Sequence, residues 1–228
     1  MSELIRTDFD RLALLDTDDW NHNNHYHSFL LKQLPQACEQ ALEIGCGSGA
    51  FSRLLAEHSQ HVLGLDLASE MIRLAQTRSQ NHPNIEYQLA DVLQWDFPRE
   101  KYDCIASIAT LHHLPLKVML QKAQQALKPG GVLLILDLFK SVTLADHLTD
   151  IISVPANLFL RLAKTGKLRE SEAVRAAWAA HGVHDVYLTL PAIRQACSEV
   201  IPAARLQRHL MWRYSIIWKK PVSLQMAS

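Results

Sequence analysis

The sequence of 228 residues has no surplus of charge of either sign. It carries 23 Lys and Arg against 23 Asp and Glu, and its formal net charge at pH 7 is zero. Proteins bind a nucleic-acid backbone mainly through clustered cationic side chains that neutralise phosphates. We therefore predict that the protein has no nucleic-acid partner.

Long apolar runs and paired cysteines are also lacking. The apolar run 131–138 is far shorter than the roughly 20 residues that span a bilayer, so no integral membrane segment is expected. The N-terminal stretch MSELIRTDFD has acids where a secretory signal needs a basic start and an apolar core. The four cysteines form no Cys-x-x-Cys pair, as is usual in reducing compartments. Together these features predict a cytoplasmic protein.

What is present is an alternation of strand-like and helix-like patterns. Ser48 is expected to cap the helix after the first strand, and Lys128-Pro-Gly-Gly131 to stop the helix before the fifth. Strands alternating with helices form right-handed βαβ units, which predicts an α/β, doubly wound, Rossmann-like and mostly parallel sheet. The predicted strands are 41–44, 61–67, 85–90, 102–109 and 132–138.

After residue 138 this rhythm breaks. The region 144–184 predicts two or three short helices, separated at Pro155, Gly166 and Gly182. A connection between helix and strand normally needs only a few residues, so this region is interpreted as an insertion. A further helix near 191–200 and two strands within 205–220 complete the chain.

The most informative segment is Glu43-Ile-Gly45-Cys-Gly47-Ser-Gly49-Ala50, between the first strand and its helix. Glycines there let the backbone approach a ligand, and a helix N-terminus favours negative charge. Gly45-x-Gly47-x-x-Ala50 also satisfies a variant of the dinucleotide fingerprint, with Asp66 near the ribose position. Glu43 favours a different ligand, because a carboxylate there attracts an amino-acid ammonium but gives nothing to a pyrophosphate.

Further motifs follow in order along the chain: Asp66 after the second strand, Ala90-Asp91-Val92, Tyr102 to Ser107, and Leu127 to Gly131. In type, order and spacing, over residues 41–138, the set resembles class I S-adenosylmethionine-dependent methyltransferases that act on small molecules (types 11 and 12). The resemblance implies a seven-stranded sheet of order 3-2-1-4-5-7-6 with strand seven antiparallel. The two terminal strand patterns fit that order.

The resemblance also implies which residues hold the cofactor, S-adenosylmethionine, and that S-adenosylhomocysteine is the product. Glu43 would face the ammonium, Asp66 would accept both ribose hydroxyls, and Asp91 would accept the adenine amino group. The implied residues are Glu43, Gly45, Cys46, Gly47 and Ser107 at the methionine part, Asp66 at the ribose, and Leu67, Met71, Asp91 and Val92 at the adenine.

Methyl transfer is an in-line displacement, so positioning and exclusion of water supply much of the rate. A general base is needed only where the acceptor is protonated. His112 and His113 follow the fourth strand, at the sheet edge where ligands bind in such folds. In similar family members the first of these positions more often faces the cavity. His112 is therefore the candidate catalytic base, and His113 is expected to cap the next helix or pack beneath the loop.

The N-terminal histidines His22, His25 and His27 are not spaced to share one helical face, and no acid or cysteine cluster completes a ligand set. We therefore predict no metal site. In related methyltransferases an N-terminal helix closes over the cofactor, and Tyr26 or His27 could serve that purpose here. A helix that merely packs on the sheet is the alternative.

These interpretations divide one methyltransferase domain, 1–228, into four parts. They are an N-terminal helical lid (1–38), a cofactor-binding core (39–140), a helical cap insertion (141–188), and a final helix with strands (189–228). The apolar cap is expected to roof the acceptor site, which favours a lipophilic or aromatic acceptor; a membrane-surface contact or a dimer contact are alternatives.

The predicted function is methyl transfer from S-adenosylmethionine to a small-molecule acceptor. Two alternatives remain open at the level of sequence: an NAD(P)-dependent oxidoreductase that uses the same glycine loop, and a non-catalytic protein that binds the cofactor. The sequence also leaves a homodimer open.

Overall fold

The apolar runs pair into one seven-stranded sheet at the centre of the protein. The computed structural model describes residues 2–15, 20–183 and 185–222. The strands lie in the order 3-2-1-4-5-7-6, as predicted, and strand seven runs antiparallel to both of its neighbours. The strands are β1 (Gln40–Ile44), β2 (His61–Asp66), β3 (Ile85–Leu89), β4 (Tyr102–Ile108), β5 (Leu127–Leu138), β6 (Arg205–Arg208) and β7 (Arg213–Lys219).

Helices cover both faces of this sheet, so its central strands are apolar on both sides. In β5, Leu133 and Ile135 join the core that contains α5 and α8, whereas Leu134 and Leu136 face the opposite core. The helices are α1 (Ser2–Ala13), α2 (His27–Leu31), α3 (Ala50–Ala56), α4 (Ser69–Arg78), α5 (Leu116–Ala126), α6 (Leu144–Thr165), α7 (Glu172–Gly182) and α8 (Leu190–Val200).

Two local predictions around the parallel strands are wrong in detail. Ser48 does not cap α3: the N-cap is Gly49, with φ of +76° and no side-chain hydrogen bond, because the chain reverses through a left-handed residue that favours glycine. The segment Lys128 to Gly131 does follow the end of α5, but it belongs to β5 rather than to a turn. It stays in the sheet because Gly130, with φ of +81°, and Gly131 exchange backbone hydrogen bonds with Lys220 (2.9 and 2.8 Å), while the register between β4 and β5 shifts there.

The inserted region contains two helices, within the predicted two or three, but α6 with 22 residues is longer than expected, whereas α7 has 11 and ends at Gly182 as predicted. Pro155 lies inside the continuous 22-residue α6 and does not end it, contrary to the prediction. A proline removes the hydrogen bond to the carbonyl four residues earlier, here that of Ile151, and Ile151 lies on the exposed side where water can replace the bond. Gly166, with φ of +70°, ends α6 as predicted. Within the ranges described, no helix is both long and apolar enough to cross a membrane.

Candidate functional site

A cavity of about 860 Å³ lies at the carboxyl ends of the parallel strands, where open α/β sheets bind their ligands. The N-terminal α1 covers it through Ile5 and Phe9, and the cap contributes Trp178, Val186 and Leu188. Of the predicted cofactor-binding residues, those that border the cavity are Glu43, Gly45, Cys46, Gly47, Asp66, Leu67, Met71, Asp91 and Val92.

The glycine loop after β1 is held in a left-handed conformation. Gly45, Gly47 and Gly49 all have positive φ (+70°, +51° and +76°). The Gly45 N–H donates to the Leu65 carbonyl (2.8 Å), and the Gly47 N–H donates to Asp66 Oδ2 (2.8 Å). The loop is therefore fixed to the end of β2, with its backbone against the cavity.

Alanine substitutions in this loop are expected to separate backbone strain from collision. Both Gly45→Ala and Gly47→Ala place a side chain at positive φ, which costs about 1–2 kcal/mol. A Cβ at Gly45 would lie 2.1 Å from Thr110 Oγ1, whereas a Cβ at Gly47 has no neighbour within 4 Å. We expect Gly45→Ala to lose about 1–3 kcal/mol more unfolding free energy than Gly47→Ala, measured by urea denaturation. Equal losses would contradict this description of the loop.

Glu43 is a buried carboxyl group at the end of β1. Its Oε2 accepts a hydrogen bond from Ser52 Oγ at 2.5 Å. Burial raises the pKa of Glu43 to about 8, because it disfavours the charged form of the carboxyl group. The nearby Asp66 charge acts in the same direction, because it repels a second negative charge. At neutral pH the carboxyl is thus mostly protonated until a cation approaches it.

Asp66 and Asp91 mark the ends of β2 and β3 at the same cavity. Asp66 Oδ1 accepts the Ala68 N–H, and Asp91 Oδ1 accepts the Leu93 N–H, each at 2.9 Å. Burial raises the pKa of Asp66, although its backbone hydrogen bonds oppose that effect. Both carboxylates keep further lone pairs for ligand hydroxyl or amino groups.

Ser107 is the one predicted cofactor residue that does not border the cavity. Its side chain is buried in the sheet and its Oγ donates to the Ile44 carbonyl (3.0 Å), which uses the hydroxyl to join β4 to β1. The cavity wall after β4 is formed by Ile108, Ala109 and Thr110 instead. The resemblance implies a contact of the Ser107 backbone carbonyl with the ammonium, and that contact stays a prediction.

The predicted base, His112, borders the cavity and is held from behind by a carboxylate. Its Nδ1 lies 2.6 Å from Asp137 Oδ1, and its backbone N–H donates to Asp137 Oδ2 (2.9 Å). An ionised carboxylate only accepts hydrogen bonds, so the ring proton resides on Nδ1. Nε2 is then the basic nitrogen.

His113 borders the cavity and does not cap the next helix, whose N-cap is Pro115. Its ring meets Phe9 edge to face at 5.8 Å, and its Nδ1 is 3.4 Å from Asp185 Oδ1. Burial lowers the pKa of His113 to about 4, and the neighbouring His112 acts in the same direction. The imidazole is therefore neutral at physiological pH.

The N-terminal histidines make separate contacts. His27 borders the cavity and packs on Phe51 at 5.0 Å, whereas Tyr26 points away and its hydroxyl donates to the Leu210 carbonyl (2.9 Å). His22 Nε2 pairs with Asn157 Oδ1 (2.7 Å). Of the two predicted lid residues, His27 is thus the one beside the cavity.

The cap does not roof the cavity in the way the sequence predicts. No residue of α6 borders the cavity, and most of its large apolar side chains, Ile151 and Phe159 among them, are exposed. The side of α6 that faces the protein is largely polar and includes Asp146 and Ser153, with Leu160 packed against the core. The cap reaches the cavity through α7 and residues 186 and 188.

Sequence reasoning missed three residues around the histidines. Asp137 was read only as part of an apolar strand, although a lone acid in such a run signals a buried partner. Asp185 and Tyr187 lie in the cap, and Tyr187 Oη donates to Asp185 Oδ2 (2.6 Å). No sequence pattern relates them to His112.

Comparisons with known proteins agree with this geometry. A methyltransferase domain model matches residues 41–131. An uncharacterised methyltransferase of Mycobacterium tuberculosis is 29% identical over 204 residues, which are 89% of this chain and 98% of that protein. A ubiquinone biosynthesis O-methyltransferase of Coxiella burnetii is 30% identical over 107 residues, 46% of each chain.

Among solved structures, the N-methyltransferase NodS of Bradyrhizobium japonicum, in complex with S-adenosyl-L-homocysteine, superposes with a TM-score of 0.63. It is 18% identical, and the match covers 95% of this chain and 98% of that one. In sheet order, in the glycine loop and in its sequence relatives, the chain is similar to class I S-adenosylmethionine-dependent methyltransferases.

Proposed function

We propose that this protein transfers the methyl group of S-adenosylmethionine to a small molecule bound in the same cavity. The observation that carries the proposal is that Glu43, Asp66 and Asp91, at the ends of three adjacent strands, border one cavity beside the glycine loop. Three carboxyl groups suit the three donors of this cofactor, its ammonium, ribose hydroxyls and adenine amino group.

The remaining residues around the cavity also fit the cofactor. A Cβ at Gly47 would meet no protein atom within 4 Å, so the loop backbone leaves room for a ligand. Leu67, Met71 and Val92 supply apolar contacts for an adenine ring. The bound cofactor supplies a methyl group on a positively charged sulfur, and the chain has to position the acceptor and exclude water.

The acceptor is proposed to be apolar or aromatic. The cavity side chains outside the cofactor set include Ile5, Phe9, Trp178, Val186 and Leu188, which carry no charge. His112 Nε2 is proposed to take the proton of a hydroxyl or amine acceptor. At the same time the oxygen or nitrogen of the acceptor bonds to the methyl carbon, and the bond between that carbon and the sulfur of the cofactor breaks. Asp137 then stabilises the imidazolium that forms.

The cofactor is tested by thermal-shift titration with S-adenosylhomocysteine, S-adenosylmethionine, NAD and NADP in parallel. A ligand at a hundred times its dissociation constant stabilises by about 2.7 kcal/mol, which raises the Tm of a domain this size by about 5–10 °C. We expect that shift with the two adenosyl sulfur compounds only. A shift with NAD or NADP alone would identify an oxidoreductase. Release of S-adenosylhomocysteine with a panel of phenols, amines and thiols then tests turnover against cofactor binding without catalysis.

Cofactor affinity is expected to depend on pH through Glu43. The pKa of this carboxyl is about 8 in the free protein, and a bound ammonium lowers it, so binding releases a proton. Affinity is then greatest near pH 8 and falls by up to about tenfold per pH unit towards pH 6; above pH 8 the ligand ammonium itself begins to lose its charge. Calorimetric titration with S-adenosylhomocysteine at pH 6, 7 and 8 measures this.

Glu43→Gln is the matched control. The amide oxygen can still accept the Ser52 hydroxyl, but the side chain no longer titrates. The variant should bind more weakly than the wild type at pH 8 and with nearly constant affinity from pH 6 to 8. An unchanged pH dependence in this variant would assign the proton to another group.

Neither the fold nor the similarity to known proteins bears on the remaining expectations from the sequence. The division into lid, core, cap and final strands, the cytoplasmic location, the lack of a nucleic-acid partner and the homodimer stay predictions.

A further inference from the structure

We propose that His112, His113 and Asp185 form a binding site for a divalent transition-metal ion. Each residue offers one ligand atom, and the three atoms lie within 4.8 Å of one another. The two histidines follow β4 and border the cavity, whereas the aspartate belongs to the cap and lies behind them, outside the cavity lining. The site therefore adjoins the cavity of the proposed methyl transfer, but the argument for it uses only these side chains.

His112 has the orientation of a metal ligand. Its Nδ1 is bound to Asp137 at 2.6 Å, and its Nε2 points towards Asp185, 4.0 Å from Oδ2. Histidines that bind metals usually donate their other ring N–H to a carboxylate, which fixes the tautomer and raises the basicity of the ligand nitrogen. Asp137 supplies that carboxylate here.

His113 has a polar atom that the protein leaves without a partner. Its Nε2 is buried and makes no hydrogen bond, while its Nδ1 lies 3.4 Å from Asp185 Oδ1. With the ring proton on Nε2, which has no competing donor or acceptor, the Nδ1 lone pair faces Asp185 and can bind the same ion.

Asp185 is a buried carboxylate whose ion-pair partners, in the ranges that the structure describes, are all histidines: His112, His113 and His181. Its Oδ2 accepts the Tyr187 hydroxyl at 2.6 Å, which fixes the carboxylate plane. Among the described residues no Lys or Arg forms an ion pair with this carboxylate. A divalent ion would supply the compensating positive charge.

The ligand set selects the class of metal. Two imidazole nitrogens and one carboxylate oxygen suit Zn²⁺, Co²⁺ or Ni²⁺, whereas Mg²⁺ and Ca²⁺ prefer oxygen ligands. Both histidines border the cavity, so a remaining coordination position would face it. A metal on His112 Nε2 excludes a proton from that nitrogen. Metal binding and the proposed base function of His112 are therefore mutually exclusive.

The site is tested by titrating untagged, chelator-treated protein with Co²⁺ and following the visible absorption of the bound ion, together with Zn²⁺ calorimetry. We expect one ion per chain. Asp185→Asn and His113→Gln should each weaken binding by more than about tenfold, since each removes a ligand. The control is His147→Ala, which removes an exposed histidine of α6 and should leave the affinity unchanged.

The readout separates this proposal from the methyltransferase proposal, because it needs neither cofactor nor acceptor. Circular dichroism establishes that each variant is folded, and either ligand variant suffices if the other does not fold. Binding of Co²⁺ without any thermal shift by S-adenosylhomocysteine would keep the metal site and overturn the proposed cofactor. Absence of one-to-one binding, or equal affinity in wild type and both ligand variants, would overturn the metal site.

Discussion

Asp66→Ala is expected to abolish the thermal stabilisation of the protein by S-adenosylhomocysteine. The substitution removes the acceptors proposed for both ribose hydroxyls. It also releases the Gly47 N–H, which donates to Asp66 Oδ2 at 2.8 Å and fixes the glycine loop. Hydrogen bonds to charged groups contribute about 1.5–3 kcal/mol each, so the dissociation constant should rise by at least about 100-fold. At a ligand concentration that shifts the wild type by about 5–10 °C, the variant should hardly shift.

Asp103→Ala is the matched control for this experiment. Asp103 Oδ2 also accepts two backbone N–H groups, those of Glu39 (3.0 Å) and Gln40 (2.9 Å), but the residue does not border the cavity. Its loss should lower the Tm of the free protein and preserve the increment that the ligand adds. If Asp66→Ala kept the ligand-induced increment, or Asp103→Ala lost it, the ribose assignment would be wrong.

The core of this fold could be predicted from the sequence because burial fixes its pattern. Leu133 to Leu136 are apolar without alternation, since helices cover both faces of the sheet, and Met71, Ile72 and Ala75 of α4 are buried at helical spacing. The strand order came from the family resemblance rather than from periodicity, and the structure confirms it. The sequence pattern predicts the structure well at such positions, because a buried position in a strand or helix requires an apolar residue.

The part of the site that the cap contributes could not be predicted from the sequence, because no local pattern marks its residues. Asp185 approaches His112 only because residues 73 positions apart in the chain meet in space, and no motif surrounds Asp185. The apolar side of α6, which the sequence predicts to face the cavity, is instead exposed. Its inner side instead bonds through Asp146 and Ser153 to the end of the chain that forms β6 and β7.

Asp137→Asn is expected to lower the rate of methyl transfer by about 10²- to 10⁴-fold, the usual contribution of a general base. Asp137 is a positioning residue: its carboxylate holds the proton of His112 on Nδ1, which leaves Nε2 basic. An asparagine can present its amide N–H to Nδ1 and move the ring proton to Nε2. The loss should appear in kcat, with the KM for S-adenosylmethionine nearly unchanged, measured with an acceptor that releases S-adenosylhomocysteine in the panel described above.

His112→Ala and the double variant separate this function from a structural one. Residues that act as a unit show non-additive losses, so His112→Ala should lose about as much rate as Asp137→Asn, and the double variant should lose no more than either. Asp137→Ala differs, because it leaves the backbone N–H groups of His112 and Leu138 without their acceptor and should lower the unfolding free energy by about 1–3 kcal/mol. Additive rate losses in the double variant would show that Asp137 acts on the reaction independently of His112. An Asp137→Asn protein that is folded and fully active would remove the proton-transfer function from this pair, and catalysis would then depend on positioning and exclusion of water alone.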